Sequence, residues 1–350
     1  MTELVLAIFG PTGSGKSDVA QALTERIPAE IVSADSMQVY RGLPILTAQS
    51  PGRLAGIWPL DHEGSVGEYQ PLAHAAIDEI LAAGSTPVVV GGTGLYLRAA
   101  LADLRLAPAP EPGARERWEE LYEREGAERA HAMLALADPE AAAAVHPNDR
   151  RRVVRGLELA GLGRERESLW TDETRHPTLV FGLEVDKAEL DPEAAASVHP
   201  NDRRRIVRSL ELAGLERERN RLWTDETRHP TIVFGLDVPK DELDRRIDER
   251  TRAMFRAGVR EEVKRALAGA VSSTARYAHG LDEIAENADD EAAIEVLAAR
   301  TRRYAAYQRK WMRRIPGLVS LPADRPPGDI ADAILEVARA RQRLPAGRAG

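Results

Sequence analysis

The chain has 350 residues, 43% of them apolar, with 48 Lys and Arg against 56 Asp and Glu and a formal net charge of −8. That length suggests two domains or one core with a large insertion, and the charge argues against a protein that coats nucleic acid while allowing a local basic surface. The absence of cysteine excludes disulfides, thiolate metal sites and a Cys nucleophile, and with no visible signal peptide and no apolar run approaching ~18 residues a cytoplasmic, non-membrane protein is expected.

The apolar run Leu4-Val5-Leu6-Ala7-Ile8-Phe9 reads as the first strand. Gly10-Pro11-Thr12-Gly13-Ser14-Gly15-Lys16-Ser17 follows it, a complete G-x-x-x-x-G-K-[ST] phosphate loop, and a helical pattern from Asp18 to Arg26 comes next. Glycines let such a loop curl so that its N–H groups face one anion, and the helix N-terminus adds partial positive charge. Lys16 is the expected point charge on a diphosphate or triphosphate and Ser17 the expected Mg²⁺ ligand. A second strand, Glu30 to Ser33, ends at Ala34-Asp35-Ser36 and is expected to neighbour the phosphate loop. Asp35 is then either a turn or N-cap residue or a general base facing the phosphate site.

A helix near 66–83 leads to a third strand, Thr86 to Val90, ending at Gly91-Gly92-Thr93-Gly94. An ordinary ATPase often ends such a strand with an Mg²⁺-holding Asp; here the position is glycine. Strands alternating with helices predict a doubly wound parallel sheet, an α/β P-loop core. Ligands of such sheets sit beyond the carboxyl ends of the strands, where all three motifs lie.

After the linker Pro108-Ala109-Pro110-Glu111-Pro112-Gly113, one helical stretch is expected over 114–136. Residues 138–190 and 191–243 are then near copies, identical at 43 of 53 aligned positions. Each copy carries a predicted helix, about 148–160 and 201–213, opened by His-Pro-Asn-Asp, and an apolar run, Thr178–Val185 and Thr231–Val238, that reads as a strand. Two copies are too few for a solenoid, so the unit is read as a tandem duplication inside a mostly helical insertion. Removing one copy leaves 350 − 53 = 297 residues of continuous pattern. Lys240 to Leu267 is a long charged helix or helix pair, and 289–314 another helix. The latter holds Arg300, Arg302, Arg303, Arg309, Lys310, Arg313 and Arg314, with Tyr304, Tyr307 and Trp311 on one face. These cations are either solvated or grip a polyanion such as pyrophosphate or RNA. The expected organisation is a core of 1–110 and 229–340, an insertion of 111–228 and a disordered tail, 341–350.

Together the phosphate loop, Ser33-Ala34-Asp35-Ser36-Met37-Gln38-Val39-Tyr40-Arg41-Gly42, Val90-Gly91-Gly92-Thr93-Gly94-Leu95-Tyr96-Leu97, the His-Pro-Asn-Asp-Arg-Arg-Arg helices and Thr301 to Trp311 resemble the tRNA dimethylallyltransferases, or tRNA isopentenyltransferases. The resemblance implies that the anion is the diphosphate of dimethylallyl diphosphate. It implies alkyl transfer, with Mg²⁺, to N6 of an adenine next to the anticodon of tRNA; with no obligate protein partner evident, a monomer is expected. By the same resemblance Asp35 is the base and Thr93 bonds the bridging oxygen. Gly10 to Ser17, with Arg246 and Arg250, would hold the diphosphate. Asp35, Ser36, Met37 and Gln38 would hold the adenine, and Arg151, Arg152 and Arg155, or Arg204, Arg205 and Arg208, would meet tRNA. Where the family has a Gly-aromatic-basic step this chain reads Gly280-Leu281-Asp282, which puts one RNA contact in doubt. An ATP-dependent small-molecule kinase, a prenyltransferase of free adenine nucleotides and a protein spoiled by its inserted copy are the competing readings.

Overall fold

The structure, a computed structural model, describes residues 4–104, 106, 113–160 and 227–343. They fall into two compact units, one drawn from 1–104 and 223–350, the other from 105–222.

The first unit is built on five parallel strands, β1 (Val5–Phe9), β2 (Ala29–Ser33), β3 (Thr86–Gly91), β4 (Thr231–Asp237) and β5 (Val319–Pro322), in the order β2-β3-β1-β4-β5. Strand β1 is apolar at every position because both its faces are covered, as a central parallel strand requires. Val5, Ala7 and Phe9 point into one core with α2 (Val66–Ala82) and α3 (Gly94–Leu101). Leu6 and Ile8 point into the other with α1 (Lys16–Thr24), Ile232, Phe234 and Leu236 of β4, and the C-terminal helix Pro327–Arg343. Strand β3 lies between β1 and β2, so the second strand is one strand removed from the strand that leads into the phosphate loop. A Cβ on Gly91 would lie 2.1 Å from the Ala34 carbonyl oxygen, so glycine lets β2 and β3 close together beyond their ends as no other residue permits. The run Thr231–Val238 of the second repeat copy does enter the sheet, as β4 beside β1.

The predicted stretch 114–136 is two helices, α4 (Ala114–Glu125) and α5 (Ala127–Ala137), because Gly126 between them sits at φ 85°. They form the second unit with α6 (Pro139–Ala143) and α7 (Arg150–Ala160), around Ala130, Leu134, Val153 and Leu157. Helix α7 starts at Arg150 rather than 148, since Asp149 Oδ1 accepts the Arg152 N–H at 3.2 Å as a cap does. The predicted elements at 178–185 and 201–213 and the tail 341–350, beyond the helix that ends at Arg343, lie outside the described residues. Lys240 to Leu267 is a pair, α8 (Lys240–Arg256) and α9 (Val259–Leu267), broken at Gly258 with φ 92°. After α10 (Leu281–Glu286), α11 spans Asp290–Met312 and α12 spans Pro327–Arg343.

Candidate active site

The phosphate loop closes β1 onto α1. Gly13 (φ 88°) and Gly15 (φ 83°) take left-handed conformations that side chains resist, so the loop can fold back on itself. Helix α8 packs beneath it: a Cβ on Gly13 would meet Ile247 at 3.3 Å and Leu243 at 3.4 Å. Lys16 Nζ donates to the Pro11 carbonyl at 2.9 Å, which keeps the ammonium over the loop. Burial pulls Lys16 down to about 8, partly opposed by the Asp35 charge and reinforced by Arg250. Desolvation is the main cause, and an anion entering the cradle would favour the charged form again.

Asp35 stands at the same, carboxyl, end of the sheet. Its Oδ1 accepts the Met37 N–H at 3.0 Å, so the turn role and a place at the site coexist in one residue. Tyr69, fully buried, donates its hydroxyl to the Ser33 carbonyl at 2.8 Å and fixes the end of β2 just before Asp35. The Asp35 charge is felt at Lys16, Arg250 and His279, which brings the acid and the cradle's cations into one electrostatic neighbourhood. Ser36 Oγ lies 3.3 Å from Thr93 Oγ1, tying the turn after β2 to the turn after β3. Gln38 Oε1 accepts both the N–H and the hydroxyl of Ser50 at 3.3 Å, and Ser50 Oγ shares a hydrogen bond of 2.8 Å with Ser17 Oγ. With Ser50 as acceptor from Ser17, the Ser17 lone pairs stay open to a cation.

Arg246 and Arg250 share α8 but not their circumstances. Arg246 is held by Glu242 at 2.6 Å and by the Ala323 carbonyl at 3.0 Å. Arg250 has no hydrogen-bonding partner among the described residues; burial lowers it from its ordinary value and Asp35 opposes that. In α7, Arg155 bonds Glu158 at 2.8 Å and Arg115 bonds the same carboxylate at 3.0 Å. The Glu158 side chain is 0% exposed, so Arg155 is committed to a buried charge. Arg151 and Arg152 are exposed, while Arg204, Arg205 and Arg208 lie outside the described residues. In α11, Arg300 pairs with Glu283, Arg302 with Asp248 and Arg309 with Asp237. Arg303, Lys310 and Arg313 are exposed, with Tyr307 55% exposed beside them. Leu281 is fully buried in the core, not a surface contact.

Three residues at the site escape sequence reasoning. Ser50 has no motif signal. His279 stacks edge-on against Tyr304 at 4.6 Å, and burial, then Arg300, hold it down to about 4, so the imidazole is neutral. Gln308, 2% exposed, accepts the Thr12 N–H at 2.8 Å and donates to the Gly92 carbonyl at 2.8 Å. It sits inside the Thr301–Trp311 segment, where its polarity among cations gives no hint of burial.

The chain is similar to known proteins. The IPP transferase family model matches residues 38–191 and 184–315, and the isopentenyl transferase model matches 3–52. A tRNA dimethylallyltransferase of Thermobifida fusca is 34% identical, over 94% of this chain and 92% of its own. One from Acidothermus cellulolyticus is 35% identical, over 96% and 92%. The structure of a tRNA isopentenylpyrophosphate transferase from Bacillus halodurans aligns with TM-score 0.58 and 25% identity, over 98% of this chain and all of that one. A eukaryotic dimethylallyltransferase acting on tRNA shares the fold, with TM-score 0.65 at 21% identity.

Proposed function

The chain belongs to the IPP transferase family, and from that premise we propose that it transfers the dimethylallyl group of dimethylallyl diphosphate to N6 of an adenine beside the anticodon of tRNA. One observation carries the reading: the Lys16 ammonium, the Arg250 guanidinium, which has no hydrogen-bonding partner among the described residues, and the Asp35 carboxylate share one end of the sheet. An anion cradle alone serves any phosphate ligand. A carboxylate beside it serves a reaction in which a weak nucleophile must lose a proton as the diphosphate leaves.

In that reaction the exocyclic amine attacks C1 of the dimethylallyl group. The bond from C1 to the bridging oxygen breaks, its electron pair stays on the diphosphate, and the amine proton passes to Asp35. Charge grows on the leaving group, where the loop N–H groups, Lys16 and Arg250 stabilise it. Arg246, already paired with Glu242, shapes the floor under Gly13 rather than supplying free charge. Thr93, in line with Ser36, reaches the bridging oxygen, while Ser36, Met37 and Gln38 line the place of a base drawn out of its stack.

The residues present fit a divalent cation at Ser17. Its hydroxyl can donate to Ser50 and keep its lone pairs free. Among the described residues no cluster of three His, Asp or Glu side chains could hold a metal by itself. Mg²⁺ there would take most of its ligands from diphosphate and water, and when bound it neutralises leaving-group charge. Arg303 and Lys310 of α11 and Arg313, just past its last residue, are exposed cations that suit tRNA phosphates.

The test is purified protein with Mg²⁺ and labelled dimethylallyl diphosphate, offered tRNA, AMP or neither. Label in the tRNA adenine is the expected result. Label in AMP alone would instead make the protein a prenyltransferase of free nucleotides. ATP consumption without prenyl transfer would make it a kinase.

A further inference from the structure

We infer that Gln308 is a positioning residue: one buried amide from α11 locks the phosphate loop to the Gly91-Gly92-Thr93 turn, and so fixes the distance between the leaving-group cradle and Thr93. The inference rests on the prenyl-transfer reading of the site.

The geometry is specific to a primary amide. The Thr12 N–H can only donate and the Gly92 carbonyl can only accept, so their partner must present one acceptor and one donor from a single side chain. Gln308 does so at 2.8 Å to each. Glutamate offers two acceptors and no donor, and methionine, of similar length, offers neither. Gln308 and Gly92 are buried and Thr12 is half-buried, so losing the amide strands the Gly92 carbonyl and leaves the Thr12 N–H without its partner. The fit is also steric: a Cβ on Gly92 would lie 2.4 Å from Gln308 Nε2. Gly92 is not among the residues at positive φ, so space and not backbone conformation calls for glycine: the amide is the nearest neighbour of that Cβ and the Gly10 carbonyl oxygen, at 3.3 Å, the next.

The placement gives the bridge a chemical consequence. Thr12 stands between Pro11, whose carbonyl holds Lys16, and Gly13, the first left-handed residue of the loop. Gly92 immediately precedes Thr93. Two groups that act on the leaving diphosphate, Lys16 on its phosphate oxygens and Thr93 on the bridging oxygen, therefore hang from one amide. Gln308 touches neither substrate, so its loss should spare binding and harm the chemical step. Misplacement by ~1 Å at a distance can lower rate ~10²-fold.

The experiment measures kcat and KM for dimethylallyl diphosphate, with tRNA saturating, in wild type, Gln308→Met, Gln308→Ala, Gly92→Ala and the Gly92→Ala/Gln308→Ala double variant. Thermal midpoints and hydrogen exchange of the loop segment 10–17 are followed in parallel. For Gln308→Met, kcat should fall ~10²-fold while KM changes by less than about threefold. Gly92→Ala should mimic it by displacing the amide, and should cost nothing further once Gln308 is already alanine. Loop exchange should accelerate in the same non-additive way. Should Gln308→Met fail to fold, the Gly92/Gln308 cycle carries the test. Normal kcat in Gln308→Met, a loss confined to KM, or additive effects in the cycle would overturn the assignment. Wild-type protein that modifies no tRNA would overturn the prenyl-transfer reading instead, leaving the exchange cycle to judge the bridge.

Discussion

Replacing Gly91 by alanine probes whether the two turns carrying Asp35 and Thr93 must lie as close as they do. The new methyl carbon would sit 2.1 Å from the Ala34 carbonyl oxygen and 2.8 Å from its carbonyl carbon. Both are backbone atoms and cannot rotate away. An ordinary carbon–oxygen contact needs about 3.2 Å, so the end of β2 and the end of β3 must part by ~1 Å. The Ala34 N–H to Val90 carbonyl hydrogen bond, 2.7 Å in the native protein, is strained first. The overpacking costs about 1–3 kcal/mol in stability. The separation moves Asp35 from Thr93 by the same ~1 Å, which lowers the rate of transfer ~10²-fold. The assay is single-turnover transfer of labelled dimethylallyl to tRNA, with thermal unfolding to verify that the protein remains folded at the assay temperature. A folded Gly91→Ala protein within threefold of the wild-type rate would refute the argument that this close approach sets the site.

Affinity for inorganic pyrophosphate should depend on pH through Lys16. Held at about 8 in the free protein, it is charged below that pH and neutral above; binding should be strongest below pH 8 and weaken as pH rises through it, with Lys16→Ala removing that step in a calorimetric titration. The triple variant Arg303→Ala/Lys310→Ala/Arg313→Ala should weaken tRNA binding and lower the slope of log K against log salt by roughly 2–3, without changing pyrophosphate affinity. Two deletions restore a single repeat copy but differ in the helix they keep. Removing 161–213 keeps Gly156, whose Cβ position is 2.7 Å from Leu134, whereas removing 138–190 puts Ser209 at that place. The second protein should be less stable by about 1–3 kcal/mol in thermal unfolding, because Leu134 is fully buried and has little room to yield.

What was legible in the sequence follows the range of the interactions. Strands β1 and β3 are short apolar runs ending in glycine, and the phosphate loop is a local motif, so each is written in consecutive residues. The helix breaks at Gly126 and Gly258 were equally local, and their left-handed backbone explains why a continuous helical pattern had to divide there. The pairing of Arg246 with Glu242, four residues earlier, and of Arg155 with Glu158, three residues later, was also present as helical spacing. The insertion of β3 between β1 and β2 was not legible, because strand order depends on packing across the whole sheet. Gln308 meets Thr12 across 296 positions of chain, and Ser50 meets Ser17 across 33. Neither contact leaves a periodicity or a motif, and only the folded backbone brings those atoms together.

The decisive comparison is Asp35→Ala against wild type, in dimethylallyl transfer to tRNA and in pyrophosphate binding. A cradle with its own proton acceptor predicts that the variant still binds pyrophosphate with nearly native affinity yet leaves the tRNA adenine unmodified. Transfer by Asp35→Ala at close to the wild-type rate would contradict the account, since the amine proton would then be leaving by another route.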